Sequence, residues 1–154
     1  MLVLKNFIFT ILVPGTVAVY VPLWLSSPST PATGLIIFAA GITLVALGAA
    51  IYFWCLWDFA SLGRGTPAPI DPPKVLVARG LYRYTRNPMY VGVLTTIVGW
   101  AVLFASLALA VYAACVAACF HLFVLFYEEP RLRKSFGANY EEYCRSVGRW
   151  LWPV

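Results

Sequence analysis

Three long runs of apolar residues, none containing a charged side chain, dominate the pattern along the chain. They cover residues 7–25, 35–57 and 89–127. An α-helix needs about 20 apolar residues to cross a bilayer, so each of the first two runs predicts one membrane-spanning helix. The third run is too long for a single span, and we expect it to form two. The pattern predicts an all-α integral membrane protein with four transmembrane helices.

The third run has few polar breaks, and we place its turn near Ala105 and Ser106. This gives spans at about 88–105 and 107–127 within a single domain of residues 1–154. A cleaved signal peptide is the alternative for the first run. Its apolar stretch is longer than the roughly 7–15 residues of a usual signal-peptide core, so we expect it to be retained as a span.

Composition supports the membrane assignment. Hydrophobic residues make up 62% of the 154 residues and charged residues only 11%. A soluble domain is roughly half apolar and a quarter charged, so an ordinary soluble globule and intrinsic disorder are both excluded. The net charge of +5 would favour nucleic acid binding in a soluble protein. The positions of the charges indicate a lipid bilayer instead, and we expect no nucleic acid partner.

Charged residues are confined to three places, which are Lys5, the loop 58–88 and the C-terminal tail 128–154. All eleven Lys and Arg residues lie there, whereas the connection 26–34 has no charge. Cytoplasmic loops of membrane proteins are enriched in Lys and Arg. Both termini and the loop are therefore expected on the cytoplasmic side, and four spans are consistent with that assignment.

Small and soft side chains within the spans are interpreted as packing features. Two stripes of small residues predict close contacts between helices. They are Gly34, Gly41 and Gly48, and Ala110, Ala114 and Ala118, and Ala113 and Ala117 have the same spacing of four as the alanine stripe. Cys115, Cys119 and His121 are three ligands of the kind that zinc or copper takes. We favour helix packing for them and expect no metal site.

Positive charge gathers just before the third span. Asparagine is a favourable N-cap residue and proline is favoured at the first helical position, so we expect the span to begin at Pro88, capped by Asn87. The free N–H groups at a helix start suit an anionic group. Arg79, Arg83 and Arg86 lie beside this start. They bind either an anionic ligand group or anionic lipid headgroups.

Two adjacent acids follow the fourth span. Glu128 and Glu129 lie where hydrocarbon gives way to the interface, and a carboxylate there needs a partner. The candidates are Arg86, Arg131 or a bound cation. His121 precedes Glu128 by two helical turns and shares its face. Apolar residues at helical spacing farther along predict short amphipathic helices in the tail, lying on the membrane surface.

The end of the loop and the tail together carry the two halves of a known signature. The stretch Arg86-Asn87-Pro88-Met89-Tyr90-Val91-Gly92 resembles the Arg-His-Pro-x-Tyr-x-Gly motif of the isoprenylcysteine carboxyl methyltransferase family, whose relatives include the membrane phospholipid methyltransferases. The tail resembles the second half of the same signature through Glu128-Glu129-x-x-Leu132, followed by Phe136-Gly137-x-x-Tyr140-x-x-Tyr143. The proline-rich residues 65–73 resemble the bacterial branch of the family.

The resemblance implies an integral membrane enzyme of the bacterial inner membrane that uses S-adenosylmethionine (SAM) at the cytoplasmic face. Its methyl acceptor would be a lipophilic or small thiol, carboxylate or amine. We expect Arg86, Glu128 and Glu129 to be catalytic, and His121 and Arg131 to bind the substrate. The residues expected to hold the cofactor are Leu76, Val77, Gly80, Tyr82, Asn87, Pro88, Tyr90, Gly92 and Glu129.

Two functions of other classes compete with this one. Membrane sterol reductases share a similar C-terminal signature, which makes a carbon–carbon double-bond reductase using NADPH one alternative. The sequence has no glycine fingerprint for a dinucleotide. The other alternative is a small four-span exporter or accessory subunit, for which His121 is the sole candidate coupling residue inside a span. The paired motifs favour the methyltransferase.

Overall fold

The computed structural model describes residues 8, 10–26, 30–32, 34–63 and 76–150, and their regular secondary structure is entirely helical. Helix α1 covers Ile11–Ser26 and is π-helical over Ile11–Tyr20. Helix α2 covers Leu35–Asp58 and continues into a π-helical turn at Phe59–Gly63. Lys5 and most of the proline-rich loop lie outside the described residues.

Four further helices follow in chain order. They are α3 (Pro88–Leu103), α4 (Leu107–Phe123), α5 (Glu129–Phe136) and α6 (Ala138–Ser146). A π-helical turn at Val124–Glu128 joins α4 to α5 without a break, and a short 3₁₀ turn at Gly80–Arg83 precedes α3. Helix α3 begins at Pro88, as the sequence predicts. Between α3 and α4, Ser106 accepts a hydrogen bond from the Leu109 N–H and so caps the start of α4.

Helix length distinguishes two of the predicted spans from the other two. The stretches Leu35–Ser61 and Leu107–Phe136 are long and apolar enough to cross a membrane. Helices α1 and α3 are apolar but shorter. At 1.5 Å per residue, a 16-residue helix such as α3 extends about 24 Å, less than the roughly 30 Å of bilayer hydrocarbon. The expectation of four full-length spans is therefore wrong for the described residues, where two helices have the length of a full span and two are shorter.

The most extensive helix contact joins α2 and α3. A Cβ added at Gly41 would lie 2.7 Å from the Leu103 Cα, and one at Gly99 would lie 2.6 Å from the Val45 N. Only glycine allows the two backbones to approach this closely. The predicted glycine stripe is confirmed at Gly41 and Gly48, which are buried, whereas Gly34 is exposed.

The alanine stripe does not pack within the chain. Ala110, Ala114 and Ala118 are all exposed among the described residues. Helix α4 instead turns Leu109 and Ala113 towards the other helices, one position away from the stripe. Of the two alanine repeats, the pair Ala113 and Ala117 is therefore the one that faces the other helices, with Ala113 buried and Ala117 half-buried.

Polar contacts hold α1 against α3 and α4. Within its π-helical part the Val21 N–H bonds the carbonyl of Thr16, five residues back. With the same spacing of five residues, the carbonyl of Val17 would bond the N–H of residue 22. That residue is proline, which has no N–H. The hydroxyl of Tyr112 donates to the Val17 carbonyl at 2.9 Å. In the same region the Trp100 Nε1–H donates to the Ala18 carbonyl at 2.9 Å, so two side chains from other helices satisfy this backbone.

The C-terminal tail folds into a small cluster of its own. Tyr140, Tyr143 and Val147 are buried and pack against Leu76, Leu132 and Phe136. Gly137, with φ of +51°, turns the chain between α5 and α6. The predicted helix in the tail is present, and its apolar face contacts residues of the same chain.

Candidate active site

Glu129 is the centre of a buried ion-pair cluster. Its side chain is 3% exposed. Arg149 Nε and Nη2 donate to its two carboxylate oxygens at 2.7 and 3.1 Å. Arg86 Nη1 lies 3.2 Å from Oε1, and Arg133 Nη2 lies 3.6 Å from Oε2. We refer to Glu129, Arg86, Arg133 and Arg149 as the arginine lock. Both oxygens of Glu129 are therefore bound within the protein.

Backbone and side-chain hydrogen bonds tie the tail to the loop before α3. The Arg86 N–H donates to the Gly148 carbonyl at 2.9 Å. The Arg149 carbonyl accepts from Thr85 Oγ1 at 3.2 Å and from Asn87 Nδ2 at 2.9 Å. Asn87 precedes α3, but its side chain makes no capping bond. Asn87 therefore occupies the predicted N-cap position, but its side chain donates to the Arg149 carbonyl instead of capping the helix.

Neutral tyrosines complete this junction. The hydroxyl of Tyr143 donates to the Tyr82 carbonyl at 2.6 Å. Burial raises the pKa of Tyr82 well above its ordinary value, and burial also raises the pKa of Tyr143. Both phenols stay protonated and keep their donors. The hydrogen bond to Glu129 raises the pKa of Arg149, so the arginine lock stays charged.

A cavity of about 100 Å³ lies beside the arginine lock. Its walls are mostly apolar, and they come from α1, α2, α3, α4 and the loop before α3. The lining residues are Val13, Pro14, Val17, Tyr52, Phe59, Tyr82, Arg86, Asn87, Met89, Tyr90, Val93, Phe120 and Glu128. Ligand pockets for whole drug-sized molecules measure roughly 300–1,000 Å³. The cavity is therefore sized for a reacting group rather than for an entire large ligand.

Glu128 is the carboxylate that reaches the cavity. Its Oε2 accepts a hydrogen bond from the Tyr90 hydroxyl at 2.9 Å. The Tyr90 ring packs against Phe120 with centroids 4.6 Å apart. Unlike Glu129, Glu128 makes no ion pair among the described residues. It retains acceptor capacity at the cavity wall.

Arg86 connects the arginine lock with the cavity. One end of its guanidinium binds Glu129, and the side chain also lines the cavity. Its Nε is buried without a hydrogen-bond partner in the described part of the chain. A buried charged donor left in this way is costly.

Several residues predicted to hold the cofactor lie near the cavity without lining it. Leu76 packs on the tail cluster, and Val77 packs with Cys55 and Tyr82. Gly80 lies against Asp58 with φ of +60°. Pro88 starts α3, and Gly92 packs on α2. Tyr82, Asn87 and Tyr90 are the predicted cofactor residues that do line the cavity.

The two predicted substrate-binding residues lie away from the cavity lining. His121 is exposed, and its Nδ1 accepts a hydrogen bond from Trp150 Nε1 at 3.0 Å. Arg131 donates to the Tyr127 hydroxyl at 3.1 Å and lies 5.9 Å from that ring centroid. No group of three or more candidate metal ligands comes together within the described ranges.

Sequence reasoning missed two sets of residues. The first is Thr85 and Arg149. Their partners lie 64 positions away for Thr85 and 20 positions away for Arg149. The second is the apolar cavity lining, to which α1 contributes Val13, Pro14 and Val17. Pro14, which interrupts the apolar run of the first span, was the local signal for it.

Comparison with known proteins places this arrangement in a family. A family model described as phospholipid methyltransferase matches residues 36–139, which is more than half of the chain. No curated protein and no solved structure matches the chain. The family match supports neither the NADPH-dependent reductase nor the transporter. It confirms the resemblance carried by the two motifs, so the chain belongs to the phospholipid methyltransferase family, a family of membrane methyltransferases.

Proposed function

We propose that this protein uses SAM to methylate a thiol, carboxylate or amine group of a lipophilic acceptor. The cavity carries the proposal. Methyl transfer from a sulfonium is an in-line displacement, which requires alignment of donor and acceptor and exclusion of water. The cavity supports both requirements because its walls are mostly apolar and its one carboxylate among the described residues is Glu128.

The charges around the cavity fit the cofactor. When bound, SAM supplies an electrophilic methyl group on a positively charged sulfur. Arg86, which lines the cavity, would supply the positive charge for the cofactor carboxylate, and Glu128 is an acceptor for its ammonium or ribose hydroxyls. The rings of Tyr52 and Tyr90 line the same space, and aromatic faces attract cations.

The role of Glu128 depends on the acceptor. A thiolate or carboxylate attacks without a base, whereas an ammonium group must first lose a proton. Glu128 is the cavity-facing group that would receive this proton, and Tyr90 would hold its carboxylate in position through the 2.9 Å hydrogen bond. Strong dependence of the rate on Glu128 would therefore favour an amine acceptor.

The proposal includes a four-span topology with the arginine lock at the cytoplasmic face. Helices α1 and α3 are short, and a bilayer adapts to short helices by local thinning. The uncharged connection 26–34 lies between α1 and α2, while the Lys and Arg residues flank the other ends. Reporter domains fused after residue 154 and inserted at residue 30 test this topology, which requires the reporters to lie on opposite sides.

Calorimetry with the purified protein in nanodiscs tests the function. SAM is expected to bind the wild type, to bind Glu128→Gln more weakly, and to bind Glu142→Gln as it binds the wild type, because Glu142 is exposed. Membranes containing the protein are then incubated with methyl-labelled SAM, and the labelled product is identified by mass spectrometry. Absence of SAM binding, or no labelled product above an empty-vector membrane, would contradict the proposal.

A further inference from the structure

Helix α1 lies outside the family-matched residues 36–139 and yet forms part of the cavity wall. We propose that this wall, formed by Val13, Pro14 and Val17, receives the apolar segment of the methyl acceptor next to its reacting atom and so determines which acceptors are used. The inference rests on the proposed methyltransferase function. It adds a specificity element that belongs to this chain rather than to the matched family segment.

The chemistry of the cavity separates into two ends. Glu128, Arg86 and Asn87 are its charged and amide side chains, and they come from the loop before α3 and the turn before α5. The α1 residues contribute only aliphatic surface, and Phe120 and Val93 add to it from α4 and α3. A charged cofactor group suits the first set, whereas burial of an alkyl chain suits the second at roughly 0.8 kcal/mol per CH₂. The α1 wall is therefore the acceptor side.

The wall is held in a fixed position, as a specificity element requires. At its start, the Thr10 and Tyr52 hydroxyls are 3.0 Å apart in a hydrogen bond, and Tyr52 itself lines the cavity. Near its middle, the carbonyls of Val17 and Ala18 accept from Tyr112 and Trp100. Three polar contacts to three other helices therefore hold α1 in position as a wall of the cavity.

The same helix offers a matched control. Val17 is half-buried and lines the cavity, whereas Leu12 is 64% exposed and is not among the lining residues. Val17→Trp fills space at the wall, and Val17→Ala opens it. Leu12→Trp adds the same bulk to α1 away from the cavity. The Val17 carbonyl bonds through the backbone, so these substitutions leave its hydrogen bond to Tyr112 available.

The experiment measures acceptor preference with defined probes. Butyl, octyl and dodecyl thiols, amines and carboxylic acids are supplied with methyl-labelled SAM, and kcat/KM is measured for each. Val17→Trp is expected to lower the dodecyl-to-butyl ratio by about tenfold. Val17→Ala is expected to raise the ratio, and Leu12→Trp to leave it as in the wild type. SAM affinity by calorimetry is expected to be the same in all four proteins.

The outcomes separate this inference from the function on which it rests. If the wild type does not bind SAM, the proposed function fails. If SAM binds and labelled product forms but the ratio is the same in both Val17 variants, α1 does not determine specificity. If SAM binds and no probe is methylated, the α1 wall is not an acceptor site for alkyl chains, and the inference is overturned. A Val17→Trp protein that fails to fold leaves Val17→Ala as the deciding variant.

Discussion

Two neighbouring glutamates occupy opposite environments in this protein. Glu129 lies in the arginine lock, where Arg86 and Arg149 bind its oxygens. Glu128, one residue earlier, contacts the Tyr90 hydroxyl and the cavity. The π-helical turn that ends at Glu128 leads directly into α5, and the two side chains project to different sides of this continuous helix.

The difference teaches that the doubled acid combines two tasks. An acid with both oxygens paired contributes to holding the tail against the loop and has little capacity left for a ligand. An acid with one hydroxyl partner keeps acceptor capacity at the cavity. Sequence alone assigned both acids to catalysis, whereas the contacts favour Glu128 for chemistry and Glu129 for assembly of the site.

The largest expected effect is on stability at the arginine lock. Glu129→Ala leaves Arg86, whose side chain is only 10% exposed, without its carboxylate partner. Breaking a buried ion pair from one side costs about 3–5 kcal/mol. Thermal unfolding in detergent is expected to show a large loss of stability, while the exposed Glu142→Ala serves as the control. Equal melting temperatures for the two variants would show that the arginine lock is not structural.

Glu128→Gln, unlike Glu129→Ala, is expected to lower activity and to leave stability nearly unchanged. The amide keeps the size of the side chain but cannot accept a proton. For an amine acceptor, loss of the general base lowers kcat about 100-fold or more, with a melting temperature close to that of the wild type. If Glu128→Gln lost as much thermal stability as Glu129→Ala, the two acids would not have different roles.

Trp100→Phe tests whether the α1 wall depends on its hydrogen bonds. The substitution removes the donor to the Ala18 carbonyl, and a buried acceptor left without a partner costs about 1–3 kcal/mol. Trp57→Phe is a matched control because Trp57 is 70% exposed. Thermal unfolding is expected to show a loss only for Trp100→Phe. Identical unfolding curves for Trp100→Phe and Trp57→Phe would show that the hydrogen bond from Trp100 to the Ala18 carbonyl does not stabilise the protein.

Asn87→Ala is expected to have the smallest effect. It removes one of the two side-chain donors to the Arg149 carbonyl, and Thr85 Oγ1 remains. A net loss of about 1 kcal/mol is expected in unfolding measurements. Thr85→Val removes the other donor, and the double variant should lose more than either single one. A single variant as damaging as Glu129→Ala would show that the backbone junction outweighs the arginine lock.

Local signals predicted part of this architecture and could not predict the rest. Pro88 at the first helical position was readable because its effect is confined to one turn. Arg86 was one of three partners expected for the doubled acid, and the structure pairs it with Glu129. Arg149 was missed because nothing near it in the sequence distinguishes it from the other tail arginines. The N-cap position of Asn87 was predicted, but its side-chain contact was not, because the partner is a carbonyl 62 residues away.

The proline at position 22 has a consequence for biogenesis. It lies in a helix synthesised before α3 and α4, and the side chains that bond the nearby carbonyls arrive 82 and 95 residues later. A nascent chain released before Trp100 leaves the ribosome would lack both donors, and Pro22 has no N–H to offer the Val17 carbonyl in their place. The final packing of α1 therefore waits for the synthesis of α3 and α4.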